Sequence, residues 1–290
     1  MKATRKVAVI GAFAVLSLAC TRITDDAGTQ PTPLDTTPGP SATATGEPVR
    51  AAIFYVLEQR GRLFLVPETR DVIEPSPGAG RMAELIAGEP HDRDLSSPWP
   101  ADTEVLEVTV EHGTAIVDLS AEALTANVGA ELESLGIQAA VYTLTEMAGV
   151  DRVEFTVEGK ETGEASNGRM IEDWWGHVGL SEQPFSRAED VLAPITIISP
   201  EEGATVSRTF TVTGEASTFE ANVVLRVRDS SGDVIQTTFT TASKGAPERG
   251  TWRKELTLPD APGGYTIEAV EEDAEQGGDF FVMTRSITLG

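Results

Sequence analysis

From Ala51 onward the chain falls into short apolar segments whose period changes several times. Ala51–Leu57 and Arg62–Val66 read as two strands joined at Gln59-Arg60-Gly61, a hairpin signal. Gly80–Ala87 predicts a short helix with Met82, Leu85 and Ile86 on one side, stopped by Gly88-Glu89-Pro90. Val105, Val108 and Val110 mark a strand over Glu104–Val110; Thr114–Leu119 follows after His112-Gly113 as a second hairpin, and Ser120 stands where an N-cap would. Glu131–Ala148 predicts a longer helix, with Leu132, Leu135, Ala139 and Tyr142 at helical spacing, and Val153–Val157 closes as a strand. The order ββαββαβ over 50–162 predicts an α+β sandwich with its helices on one sheet face.

Beyond a connector at 163–193 the period stays at two. Seven strands are predicted: Ile195–Ser199, Thr209–Ala216, Asn222–Asp229, Val234–Thr241, Trp252–Leu258, Tyr265–Glu271 and Phe280–Leu289. Pro and Gly breakers separate them. Seven alternating strands over 194–290 predict an all-β, immunoglobulin-like sandwich, here without a disulfide.

The first 49 residues are of another kind. Lys2, Arg5 and Lys6 precede a twelve-residue apolar run, Val7–Leu18, too short to cross roughly 30 Å of hydrocarbon. Residues 1–19 are therefore expected to be an export signal. Leu16-Ser17-Leu18-Ala19-Cys20 resembles a bacterial lipobox, in which small residues ahead of a cysteine admit signal peptidase II; Ser17 stands where the family usually has Leu. The resemblance implies that Cys20, the chain's single cysteine, carries a diacylglyceryl thioether and becomes the lipidated N-terminus, holding the protein to the outer face of the cell membrane. Two or three acyl chains anchor far better than one. Residues 21–49 are rich in Thr, Pro, Ser and Gly and hold few large apolar side chains, so they are expected to form a disordered tether. At ~5–6 Å times the square root of its length, the tether sets the next domain roughly 30 Å from the bilayer.

Composition narrows the partners. Asp plus Glu number 46 against 22 Lys plus Arg, a formal charge of −24 in 290 residues. Phosphate backbones repel such a surface, which argues against nucleic acid. The acid is spread over every segment, as on a solvated surface. A lone cysteine excludes an intramolecular disulfide and any Cys-rich zinc site.

Candidate chemistry is thin, and no cofactor is called for. His91, His112 and His177 lie far apart; His91-Asp92-Arg93-Asp94 could hold a cation but reads better as a polar loop. Gly78-Ala79-Gly80-Arg81-Met82-Ala83 fits the dinucleotide pattern yet follows Pro75-Ser76-Pro77 instead of a buried strand, so it reads as a helix start. Gly179-Leu180-Ser181-Glu182-Gln183 misses the nucleophile elbow at its last position. No catalytic residue and no metal ligand is assigned, and the chain is not expected to be an enzyme. Trp174-Trp175 in the connector are expected to wedge between the domains, with an exposed docking site as the alternative.

Two further resemblances cover the globular part. Leu65-Val66-Pro67-Glu68-Thr69-Arg70, Ala83–Pro90, Pro98 and Pro100 ahead of Thr103, Ala115–Ser120, Tyr142-Thr143-Leu144-Thr145-Glu146 and Gly149-Val150 resemble the GerM domain of sporulation and germination proteins. Ile198-Ser199-Pro200, Val212–Ala216, Phe219-Glu220-Ala221, Thr241–Ala246 and Gly250-Thr251-Trp252 resemble the immunoglobulin-like Gmad2 module that often follows it. The resemblances imply a non-catalytic binding or assembly component of the cell envelope, linked to sporulation or germination in some relatives and found also in bacteria that form no spores. Expected partners are envelope proteins or further copies of itself, besides the membrane; a peptidoglycan- or carbohydrate-binding module using exposed aromatics is the alternative. The Pro67–Arg70 and Thr143–Glu146 stretches are read as turn, capping and packing positions ahead of a partner surface, and Phe219 and Trp252 as core.

The anchor has a direct check. Mass spectrometry of the mature protein should find Cys20 at the N-terminus with its sulfur acylated; a free thiol, or cleavage elsewhere, would remove the anchor.

Overall fold

The computed structural model describes residues 47–166, 168–171, 183–259, 261–273 and 277–290. The export signal, Cys20, most of the tether and the Trp174-Trp175 pair lie outside the described residues.

The first domain opens with a long hairpin, β1 (Val49–Gln59) and β2 (Arg62–Val72). Its two-residue turn places Arg60 at φ 55° and Gly61 at φ 74°, the left-handed pair that matches the twist of antiparallel strands. Helix α1 (Ala79–Ala87) follows, then a two-residue strand β3 (Leu95–Ser96) that pairs with β1. A second hairpin joins β4 (Val105–Glu111) to β5 (Thr114–Leu119) through His112 and Gly113, again both at positive φ. Helix α2 (Ala130–Leu144) then carries the chain to β6 (Arg152–Val157), which lies parallel to β5. Parallel neighbours require such a crossover.

The seven predicted elements are present in order, with the two-residue β3 added after α1, but the single sheet does not hold. The strands form two three-stranded sheets, β2-β1-β3 and β4-β5-β6, and both helices touch strands of each. Helix α2 therefore has almost no solvent face: Leu135, Ile137, Ala139, Ala140, Val141, Tyr142 and Leu144 are all buried. Helix α2 ends at Leu144, four residues short of the predicted Ala148, with Thr145 capping it through a bond from its N–H to the Val141 carbonyl. Ser120 precedes a 3-10 turn, Ala121–Thr125, and its hydroxyl accepts from the Glu104 N–H instead of capping α2.

After a two-residue pair, β7 (Ala165–Ser166) and β8 (Arg169–Met170), the second domain begins at β9 (Ile195–Ser199). It continues with β10 (Ala204–Val206), β11 (Thr209–Ala216), β12 (Asn222–Arg228), β13 (Val234–Thr241), β14 (Gly250–Thr257), β15 (Gly263–Glu272) and β16 (Asp279–Leu289). Five strands in the order β10-β16-β15-β12-β13 face three in the order β14-β11-β9. All seven predicted strands are present. The eighth, β10, is three residues long and joins β16 in parallel, which is too brief to leave an alternating pattern.

Trp252 is 3% exposed and lies over Gly214, its partner in the β11–β14 ladder. A Cβ at Gly214 would sit 1.9 Å from the Thr196 carbonyl oxygen and 2.5 Å from the indole. Phe219 departs from expectation. It heads a short 3-10 turn after Thr218 and is 66% exposed, because the turn points it away from the sandwich.

Gly214→Ala should cost at least about 2 kcal/mol of stability, since backbone and indole must both move. Urea unfolding checks this; an unchanged midpoint would contradict the packing of Trp252 on Gly214.

Candidate functional site

The richest chemistry lies where the two domains meet. The outer edge of β2 is covered by the connector: the Leu65 N–H donates to the Val191 carbonyl at 2.7 Å, and the Ala193 N–H to the Leu65 carbonyl at 2.9 Å. Pro67 fits this strand because its partner, Phe54, directs its own N–H to Thr143 Oγ1 at 3.0 Å, so no ladder bond is lost. At the hairpin end, the Gln59 carboxamide pairs with the Val282 backbone of β16, donating at 2.8 Å and accepting at 3.0 Å. Phe64 meets Phe281 edge to face at 5.3 Å, and Arg62 stacks on both Phe64 and Phe280.

Glutamines repeat this device. Gln183 bonds both ways to the Phe155 backbone, and Gln138 bonds to the Ser186 carbonyl and the Ala188 N–H. With the Tyr142 hydroxyl donating to the Ala188 carbonyl at 2.6 Å, they pin residues 183–193 against the first domain. Arg187 completes the strap. It stacks 4.8 Å over Tyr142, donates to Thr145 Oγ1 at 2.7 Å and pairs with Glu146 at 2.5 Å. Tyr142, Thr145 and Glu146 thus hold the connector.

A chain of charges runs through the same junction. Glu68 is buried on β2; its oxygens accept from the His91 N–H at 2.9 Å, the Asp92 N–H at 3.0 Å and Arg70 at 2.8 Å. Arg70 also pairs with Glu84 of α1. Asp92, placed by Glu68, faces Arg285 of β16, whose Nη1 lies 3.8 Å from Asp92 and 3.7 Å from Glu202. Arg285 is 3% exposed and donates through Nη2 to the Ile197 carbonyl at 2.9 Å. Glu202 is fixed in turn by the Ser286 N–H. The network links α1, β2 and the 91–92 loop of one domain to β9 and β16 of the other.

Beside it opens a cleft of about 270 Å³, lined by Phe54, Glu68, Tyr142, Glu215, Arg249 and Arg285 among others. Arg249 donates to the Ala193 carbonyl at 2.5 Å, while its Nη1 and the Nε of Arg285 are buried without a hydrogen-bond partner among the described residues. Such N–H groups suit a carbonyl or carboxylate oxygen, but the surrounding glutamates oppose a ligand of net negative charge. Burial pushes the Arg249 guanidinium and the Tyr142 phenol toward their neutral forms. Burial likewise holds the Asp92 carboxyl above its ordinary range, outweighing Arg285. For Glu68 burial also works upward, but the Asp92 and His91 amides and Arg70 prevail and bring the carboxyl below its usual range.

Other sequence candidates resolve into structure. Among the described residues no group of three or more His, Cys, Asp and Glu side chains is set to hold a metal ion. The Gly78–Ala83 pattern starts α1 as expected. The Glu74 carboxylate accepts from the Gly78 N–H at 2.7 Å and from Arg81 at 2.6 Å, filling the place a phosphate would need. Trp252 is buried and so takes no part in any aromatic binding surface on the sandwich, while Phe219 and Phe239 are exposed.

Sequence reasoning missed Arg285, Glu68 as a junction residue and the three glutamines. Two of these left a signal. Arg285 shares its strand face with Phe281, Met283, Ile287 and Leu289, and Glu68 shares its own with Phe64, Val66 and Val72. A charge in step with core positions requires a buried partner. A lone glutamine leaves no such mark.

The comparisons agree with this architecture. Residues 53–163 match the family model described as "Sporulation and spore germination", and residues 194–278 match "Immunoglobulin-like domain of bacterial spore germination". The chain therefore carries a GerM-like domain followed by a Gmad2 immunoglobulin-like domain. Neither is a known enzyme family. Similar solved structures include the tandem GerMN domains of the sporulation protein GerM from Bacillus subtilis (20% identity, 53% of this chain and 50% of that one, TM-score 0.39). The first GerMN domain of the same protein matches at 26% identity, 46% and 98% coverage and TM-score 0.33. A putative lipoprotein from Clostridium perfringens matches at 18% identity, 50% and 93% coverage and TM-score 0.31. The chain spans half the length of the tandem GerMN structure. No curated protein matches it.

Glu68→Gln should cost about 1–3 kcal/mol at neutral pH, because one charged acceptor of three donors is lost. A depressed carboxyl stabilises fully above its unfolded value near ~4.3 and loses that contribution as pH falls through its lower folded value. The stability gap between wild type and Glu68→Gln should therefore close on acidification. A gap independent of pH would contradict the charged network.

Proposed function

We propose that the protein is a lipid-anchored, extracytoplasmic component of the cell envelope that works by binding and assembly without catalysis, in a process related to sporulation or germination. The family descriptions support the process, and the run ending at Cys20 supports the anchor. The observation that carries the assembly role is the junction itself. Several of its carboxylates are committed to arginines: Glu68 to Arg70, Glu146 to Arg187, Glu201 to Arg50 and Glu202 to Arg285. Groups that could perform acid–base chemistry are instead held within each domain, against the connector, and, through Glu201 and Arg50, across the junction. A tether of about thirty residues then lets that unit reach partners above the membrane. Its partners are envelope proteins and further copies of the chain.

Fractionation tests the reading. Wild type should sediment with membranes and be released by detergent, Cys20→Ser should appear in the soluble fraction, and in-cell crosslinking should recover envelope proteins or self-linked species. Wild-type protein free in the cytosol, with no envelope protein or self-linked species recovered, would overturn it.

A further inference from the structure

The five-stranded sheet of the Gmad2 domain ends in β13, which pairs with β12 on one side and, among the described residues, with no strand on the other, its contact with β14 being the Thr240 hydroxyl that donates to the Arg253 carbonyl at 2.9 Å. Open edges invite pairing, and proteins usually guard them with charge, proline, a bulge or brevity. Several other edges here follow that rule, while β9, itself uncharged, has its Ile197 carbonyl taken by Arg285. β14 carries Arg253, Lys254 and Glu255, β4 carries Glu107 and Glu111, and β3 and β10 are two and three residues long. β13 has one of these guards, a bulge at Ile235 where its pairing with β12 shifts register, but no other. Its eight residues, Val234-Ile235-Gln236-Thr237-Thr238-Phe239-Thr240-Thr241, hold no charge and no proline, in a chain with 46 acidic side chains. Phe239 is 65% exposed, and Ile235 and Val234 are exposed with it.

We infer that β13 pairs antiparallel with β13 of a second copy, about a two-fold axis through Thr237. The strand is self-complementary in that register. Ile235, Thr237 and Phe239 share the exposed face, so Thr237 meets its own mate while Ile235 of each copy lies opposite Phe239 of the other. Aromatic against β-branched pairs are among the favourable cross-strand contacts, and Thr beside Thr adds a hydrogen bond. The isologous contact closes after two copies and continues both sheets into one. Charge selects the partner's surface: a copy bearing −24 can approach closely only where neither face presents carboxylates, and β13 is such a strip. The inference deepens the assembly reading by naming one partner and its contact. It is tested on purified protein, so its failure leaves the envelope assignment standing.

The experiment is disulfide trapping of the full-length chain in detergent under mild oxidation. Opposed residues in an antiparallel pair lie ~4.5–5.5 Å apart at Cα, within disulfide reach. Thr237→Cys should give a covalent dimer as the main product. Ser230→Cys, in the turn that leads into the strand, is placed tens of ångströms from its mate at roughly 3.3 Å per strand residue, and should not. Adding Phe239→Glu to Thr237→Cys should lower the dimer yield at least tenfold, and Phe239→Glu alone should shift sedimentation from dimer to monomer. No dimer from Thr237→Cys, equal yield from Ser230→Cys, or no effect of Phe239→Glu would overturn the pairing. A strict monomer in sedimentation, which leaves the edge to some other peptide, would overturn it too.

Discussion

Arg285 is the group on which the arrangement depends. A guanidinium buried on a core face of β16 must find partners or cost several kcal/mol, and the partners it has come from both domains: Ile197 and Glu202 from its own, Asp92 from the other. Asp92 in turn is placed by Glu68, whose two oxygens collect the His91 and Asp92 amides. Such a network adds little net stability over well-packed apolar groups, yet its geometry admits one relative placement of the domains. Its value lies in orientation.

The rest of the junction works the same way with neutral groups. Gln59 lends its carboxamide to β16 as a strand would lend a peptide, the connector adds itself to the edge of β2, and Arg187 straps the connector to α2. With a buried apolar cluster that runs through both, the two modules become one body. For the tethered envelope component proposed above, a head that keeps its domains at a fixed angle would present its free surfaces together, instead of ordering them anew at each encounter.

The strands of the Gmad2 domain were legible because several alternate cleanly and Gly or Pro breakers separate them, as Ser231-Gly232 follows Val223-Leu225-Val227. The first domain's element order was equally plain. Its division into two sheets was not, because pairing partners lie far apart in sequence and α2 gives the same apolar signal whether it covers one sheet or two. Phe219 misled for a local reason: its exposure follows from a 3-10 turn set by Thr218, which no periodicity announces. The junction was half written, in Glu68 and Arg285 at core parity, while Gln59, Gln138 and Gln183 act through backbone contacts that only the folded chain defines.

If the junction makes one body of the two domains, the protein should unfold as one. Differential scanning calorimetry of the folded chain at neutral pH should show a single transition whose calorimetric and van't Hoff enthalpies agree. Two separated transitions, each with the enthalpy of one domain, would contradict the account.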